Sequence, residues 1–171
     1  MARQSDHEPM NTPPSTVTGR RLSAFAGWMA LSFAAALTGV FVTMGEWYNG
    51  LVKPAWQPPG WLFGPVWTVL YILMAVAAWL VWSEGGWQKQ GGVLGWFMAQ
   101  WLLNALWTPL FFGLHRPGLA LVDIILLWLT LVVTTVQFWK ARRTAGMLLL
   151  PYLAWVSFAA VLNFALWRLN P

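Results

Sequence analysis

The sequence predicts an all-α integral membrane protein, a bundle of five transmembrane helices. Three observations carry this reading. Apolar residues fill 58% of the 171 positions and charged ones 9%, whereas a soluble domain carries about 25% charged residues. Between residues 22 and 139 the only charges are Glu46, Lys53, Glu84, Lys89, Arg116 and Asp123. The apolar residues also fall into five runs, each near the ~20 residues needed to cross ~30 Å of hydrocarbon. An ordinary soluble globule and a disordered chain are thereby excluded. So is a nucleic-acid-binding module: the net charge of +5 comes from basic residues at the ends and joints of apolar runs, not from one stripe. Without cysteine there is no disulfide, thiolate nucleophile or Cys-ligated metal.

Residues 1–19 are polar, with Pro9, Pro13 and Pro14, and are expected to form a disordered tail ahead of a membrane domain at 20–171. The first helix is expected at 22–42. Arg20-Arg21 precede it as they would a secretory signal, but the run exceeds a signal's roughly 7–15 apolar residues and has no small-residue cleavage site. A long joint, 43–60, leads to the second helix at 61–82. The third (93–114), fourth (118–139) and fifth (145–167) follow through short joints. The hydrocarbon core cannot solvate open backbone, so these runs must be helical. Five crossings put Arg3, Arg20, Arg21, Lys89, Lys140, Arg142 and Arg143 on one side, and Lys53, Arg116 and Arg168 on the other. The excess of cations predicts a cytoplasmic N-terminus.

Tryptophan is the most informative excess, at fifteen residues. Trp61, Trp79, Trp82, Trp87, Trp139 and Trp167 lie near run ends, where amphipathic rings meet the membrane interface. Trp101, Trp128 and Trp155 lie mid-run and Trp67 about a turn from mid-run; a buried indole N–H needs a partner. Together these four predict an aromatic-walled pocket. Polar residues inside the runs extend the idea. Gln100 and Asn104 share a helix face that Trp107 and Thr108 continue; Trp67, Tyr71 and Met74 form a comparable face, as do Trp155, Ala159 and Asn163. Such groups point into the bundle as ligand contacts or as interhelical hydrogen-bond glue. Both readings stand for Asn104, and glue is favoured for Asn163. Asp123 is read as a carboxylate stabilised near a helix start.

Pro109 and Pro151 interrupt two runs and free the carbonyls of Ala105 and Met147, which splays helices. In the long joint, Trp47-Tyr48, Leu51, Lys53-Pro54, Trp56 and Pro58-Pro59 interleave aromatics with proline. This predicts a stiff segment rather than a solvated loop, with a lid over the bundle mouth favoured over a loop that anchors the chain at the membrane interface. His7 and His115 lie outside the runs, so the bundle offers no histidine to a metal or haem iron, and no cofactor is required. Nor is there a Ser-His-acid set, a carboxylate pair or a phosphate loop. Gly91, Gly95 and Ala99, like Ala26, Ala30 and Ala34, are small residues at a spacing of four, which permits close helix approach within the chain or between two copies.

These residues resemble the translocator protein family, also called the tryptophan-rich sensory protein (TspO/MBR) family. The likeness runs over about 22–171, through Trp47-Tyr48, Lys53-Pro54, Trp56, Pro58-Pro59, Gly64-Pro65-Val66-Trp67, Tyr71, Gln100, Asn104, Trp107, Pro109, Phe111-Phe112-Gly113, Ala120-Leu121-Val122-Asp123, Pro151-Tyr152-Leu153-Ala154-Trp155, Asn163 and Trp167-Arg168. It implies a five-helix membrane fold, a homodimer, and a pocket under the first long loop that binds tetrapyrroles such as protoporphyrin and haem. By resemblance the ligand contacts are Trp56, Trp67, Tyr71, Asn104, Trp107, Trp155, Ala159 and Leu162. Gly91, Gly95 and Ala99 resemble a third-helix dimer contact. Lys53 or Arg168 would meet ligand carboxylates at the rim.

Some bacterial members are said to degrade bound porphyrin with light and oxygen, and the resemblance makes Trp67 and Trp155 the catalytic candidates for that alternative. A transporter of sterol or tetrapyrrole is the other. Phe164 stands where the animal sterol motif has Tyr, which favours tetrapyrroles over cholesterol. The resemblance implies a multi-pass protein of a bacterial envelope membrane rather than the mitochondrial outer membrane.

Overall fold

The computed structural model describes residues 14–40 and 45–170. Five long helices dominate: α1 (Pro14–Ala34), α4 (Phe63–Trp82), α5 (Gly86–Thr108), α6 (Pro117–Ala141) and α7 (Arg143–Leu169). Two short ones, α2 (Leu37–Val40) and α3 (Glu46–Gly50), lie between α1 and α4. No strand occurs among the described residues. Four long helices are apolar and long enough to cross a membrane: the stretches Gly19–Gly39, Gly60–Trp82, Pro117–Ala141 and Arg143–Leu169. The fifth, α5, carries Gln88, Lys89, Gln90, Gln100 and Asn104 and is correspondingly more polar.

α4, α5, α6 and α7 form a ring in which α5 and α7 each touch both α4 and α6, while α1 lies against α4. Short connections make chain neighbours antiparallel. At the α4–α5 corner, Gly85 (φ 134°) and Gly86 (φ 65°) adopt backbone conformations that side chains disfavour. Between α6 and α7 the chain turns at Arg142, and Gly146 lets the helices close: a Cβ there would lie 2.7 Å from the Trp139 Cα. Met74, Ala78, Val81, Leu94, Phe97, Leu131, Phe138 and Leu149 are buried in the centre. Val69, Leu102, Val122, Ile125, Leu129, Val136, Val161 and Phe164 face outward. An outward apolar surface of that extent fits lipid, not water.

Three expectations need correction. The tail was expected over 1–19; 1–13 lie outside the described residues, but 14–19 are already helical. Proline suits a first helical position because the missing N–H has no helical partner there, and apolarity cannot register a polar opening turn. The first helix, expected to run unbroken to 42, stops at Ala34. There the Trp101 indole takes the Leu31 carbonyl (2.7 Å), which an α-helix would offer to the Ala35 amide. The Thr38 hydroxyl takes the Ala35 carbonyl (2.8 Å). The third helix begins at Gly86 rather than 93, because its first two turns are helical but too polar to count as an apolar run. At its far end Pro109 converts the helix to a π turn, Pro109–Gly113, closed by the Leu114 amide on the Pro109 carbonyl (2.8 Å).

Candidate functional site

The connection from α3 to α4 lies across the ends of α5, α6 and α7 as a fastened cap. Trp47, Tyr48, Leu51 and Phe63 pack on buried Phe111, Ala120, Leu162 and Leu166. Trp47 stacks on His115 with ring centroids 4.3 Å apart. The Gln57 side-chain amide donates to the Tyr48 hydroxyl (3.1 Å), and the Lys53 ammonium lies 4.6 Å from the Tyr48 ring centre, a cation–π contact. Burial raises the Tyr48 pKa above the usual phenol value, with the Gln57 hydrogen bond opposing. At the cap's middle, Asn170 binds the backbone of Val52 in both directions: the Val52 amide donates to Oδ1 (2.9 Å) and Nδ2 donates to the Val52 carbonyl (3.0 Å).

Beneath the cap the aromatic residues of α4 and α7 meet. Trp67 stacks on Tyr71 at 5.3 Å and meets Tyr152 edge-on at 6.1 Å. Trp155 contacts Phe63 at 5.7 Å and Phe158 at 5.5 Å. Trp56, half-exposed on the cap, meets Phe158 at 5.9 Å. The candidate contacts therefore divide between two layers. Trp67, Tyr71, Trp155 and Ala159 belong to the main core, Leu162 to the cap layer. Trp107 touches both and stacks on Phe111 at 5.1 Å. Two surface clefts of about 650 Å³ lie at opposite ends of the bundle, and neither is lined by Trp67 or Trp155. The rings expected to wall a pocket fall into two contacting groups, Trp67 with Tyr71 and Tyr152, and Trp155 with Phe63 and Phe158.

A buried polar group adjoins the rings. The Tyr71 hydroxyl donates to Asn104 Oδ1 over a long 3.4 Å. The Tyr152 hydroxyl is buried with no hydrogen-bond partner among the described residues. One turn before Asn104, Gln100 is fully buried with both side-chain amide atoms unpaired. Unpaired buried polar atoms are costly in an apolar medium. Asp123 corrects another expectation. It sits beyond the first turn of α6, which begins at Pro117, so first-turn amides cannot cap it, and its Oδ2 is buried and unpaired. Asn163 is glue as expected: its Oδ1 accepts from the Trp107 indole (2.9 Å) and its Nδ2 donates to the Pro117 carbonyl (2.8 Å).

Two mid-run tryptophans stand apart from this site. Trp101 is held by the Leu31 carbonyl, and Trp128, on the outer surface, donates to the Ser157 hydroxyl (2.8 Å). Periodicity locates a residue along a helix but not the neighbour it meets, so all four mid-run indoles looked alike. Conversely, Phe63, Tyr152, Phe158 and Asn170 were not singled out as site residues. Phe63 and Phe158 continue the faces of Trp67 and Trp155 at spacings of four and three, a signal present in the sequence. Gly91 and Ala99 are half-buried, Gly95 is exposed, and among the described residues no other side chain approaches either glycine. No cluster of three potential metal ligands occurs among the described residues.

Comparison with known proteins agrees with this architecture. A family model described as the TspO/MBR family matches residues 25–168. The chain is 42% identical to Protein CrtK of Rhodobacter capsulatus, over 88% of this chain and 94% of that one. It is 48% identical to the tryptophan-rich protein TspO of Chlorobaculum tepidum, over 73% and 80%. It is 45% identical to the human translocator protein, over 73% and 75%.

Proposed function

The chain belongs to the TspO/MBR family of membrane proteins, and from that premise we propose that it is a receptor or carrier for tetrapyrroles, protoporphyrin or haem. The ligand enters between the cap and the helices and stacks among Trp67, Trp155, Trp107 and Trp56. The observation that carries this reading is the pairing of α4 and α7 aromatics under one fastened cap, Trp67 against Tyr152 and Phe63 against Trp155. A flat π-system replaces such ring contacts with equivalent ones of its own. Asn104 and Trp107 line its inner edge, with Tyr71, Ala159 and Leu162 completing the wall. Lys53 meets the propionates at the rim. Stacking needs no axial ligand, which suits a site whose named contacts include no histidine.

In the same reading all five long helices cross a bacterial envelope membrane, with the Arg20–Arg21 end cytoplasmic. Two copies associate through Gly91, Gly95 and Ala99. One observation favours a second activity. Trp67 touches two oxidisable rings, Tyr71 at 5.3 Å and Tyr152 at 6.1 Å; it would give an electron to a photoexcited porphyrin, which passes it to dioxygen, and a tyrosine would refill the indole by losing an electron and its phenolic proton. Sterol or tetrapyrrole transport rests on no comparable feature.

A protoporphyrin titration of the purified protein, in the dark and then under light, separates these readings. Saturable dark binding, weakened by Trp67→Phe and Trp155→Phe, is the expected result. A new absorbance that forms only in light and is lost in both variants would add the degradative activity. Absence of saturable binding to the wild type would reject tetrapyrroles as ligands.

A further inference from the structure

The end of the bundle opposite the cap carries a cleft of about 650 Å³ between the start of α1 and the α4–α5 corner. Its walls are held in place. The Trp79 indole donates to the Arg21 carbonyl (3.1 Å), Phe25 meets Trp79 edge-on at 5.5 Å, and Trp28 stacks on Trp87 at 6.0 Å. Arg20 and Arg21 line one side, and Trp82, Ser83, Trp87 and Gln88 the other. The Trp82 indole nitrogen faces Gly86, 3.8 Å from where a Cβ would stand. The cleft thus gathers two guanidiniums, an indole N–H and a side-chain amide, a donor set suited to a phosphate, while the Ser83 hydroxyl donates to the Trp79 carbonyl (2.8 Å).

We propose that this cleft binds the phosphate headgroup of an anionic phospholipid. Charge supports it. Arg20, Arg21, Lys89, Lys140, Arg142 and Arg143 stand at this end, and the acidic side chain among the described residues there, Glu84, is paired with Arg142 at 3.0 Å. Depth selects a lipid over a dissolved phosphate. Trp82 and Trp87 sit at helix ends, the level where indoles meet headgroups, and exposed Leu22 follows Arg21 towards the hydrocarbon, giving an acyl chain an apolar surface. Basic pockets between transmembrane helices are a recognised setting for anionic headgroups.

The test is a titration of the full-length, detergent-solubilised protein with dihexanoyl phosphatidylglycerol, dihexanoyl phosphatidylcholine and inorganic phosphate, read by tryptophan fluorescence. Phosphatidylglycerol should bind about 10-fold more tightly than phosphatidylcholine, and millimolar inorganic phosphate should not displace it. Arg20→Gln/Arg21→Gln should erase the preference, whereas Lys140→Gln/Arg143→Gln, with the same charge loss, should retain it. Single Arg20→Gln and Arg21→Gln variants, each losing part of the preference, serve if the double variant fails to fold. Equal loss in both double variants would replace the cleft with a diffuse surface potential and overturn the proposal. So would no preference in the wild type, or displacement by inorganic phosphate as effective as by the lipid.

Discussion

Asn170 clasps the backbone of Val52 across 118 residues of sequence, using its side-chain oxygen for the amide and its nitrogen for the carbonyl. The same nitrogen also reaches the Leu166 carbonyl at 2.8 Å, so the clasp is anchored in the last turn of α7. It reproduces at one point the paired hydrogen bonds of neighbouring strands, and it ties the cap to the helix that carries Trp155.

Loss of this clasp should free the cap without unfolding the bundle. Each net hydrogen bond contributes about 1 kcal/mol, so Asn170→Ala should favour cap opening by about 1–2 kcal/mol. Amide exchange at Val52 should accelerate roughly tenfold, while exchange in the centre of α4 stays unchanged. Unchanged protection at Val52 would mean that Trp47 on His115 and the packing of Tyr48 hold the cap unaided.

Asn163 supports a different prediction, because it makes two hydrogen bonds and one of them is to an indole with no other partner among the described residues. Asn163→Leu preserves bulk but strands the Trp107 indole and removes the second bond to the Pro117 carbonyl, which α6 itself still engages through Leu121. The expected cost is about 1–2 kcal/mol, above the ~0.6 kcal/mol average for a membrane hydrogen bond because two partners are lost. Thermal denaturation in detergent checks this. An unchanged midpoint would show that water replaces the side chain at both groups.

Gly146 is where α6 and α7 approach most sensitively. A methyl group there would meet the Trp139 Cα at 2.7 Å and its Cβ at 2.8 Å; the nearest atom is backbone and cannot rotate away. Gly146→Ala should destabilise the protein by about 1–3 kcal/mol, outweighing the roughly 1 kcal/mol that alanine gains over glycine within a helix. A melting temperature equal to or above that of the wild type would show that the pair can separate at no cost.

The lipid-crossing elements were legible because one physical requirement, about 20 apolar residues with internally bonded backbone, writes itself directly into composition. Helix ends were less so. The opening turns of α5, from Gly86 to Gly92, are polar, and polarity records immersion rather than helicity. Within the site, Trp67, Tyr71 and Trp155 were visible as faces at helical spacing, and the structure brings them to one place. Trp101 and Trp128 had the same spacing signal and lie elsewhere, since rotation of a helix about its axis is fixed by its neighbours. The Asn170 clasp had no local signature at all: it is a contact between a loop backbone and a chain end, and nothing near Val52 or Asn170 indicates the other.

The small-residue stripe of α5 completes the contrast with Gly146. Among the described residues no other side chain lies within reach of a Cβ at Gly91 or Gly95, so no packing contact described within one chain calls for their smallness. If two copies associate through this stripe, Gly95→Leu should leave the thermal midpoint of the isolated monomer within about 0.5 kcal/mol of wild type and shift the population from dimer to monomer. Light scattering across a dilution series in detergent measures the shift. Dimerisation undiminished in Gly95→Leu would move the interface to another face, with Ala26, Ala30 and Ala34 of α1 the next stripe to test.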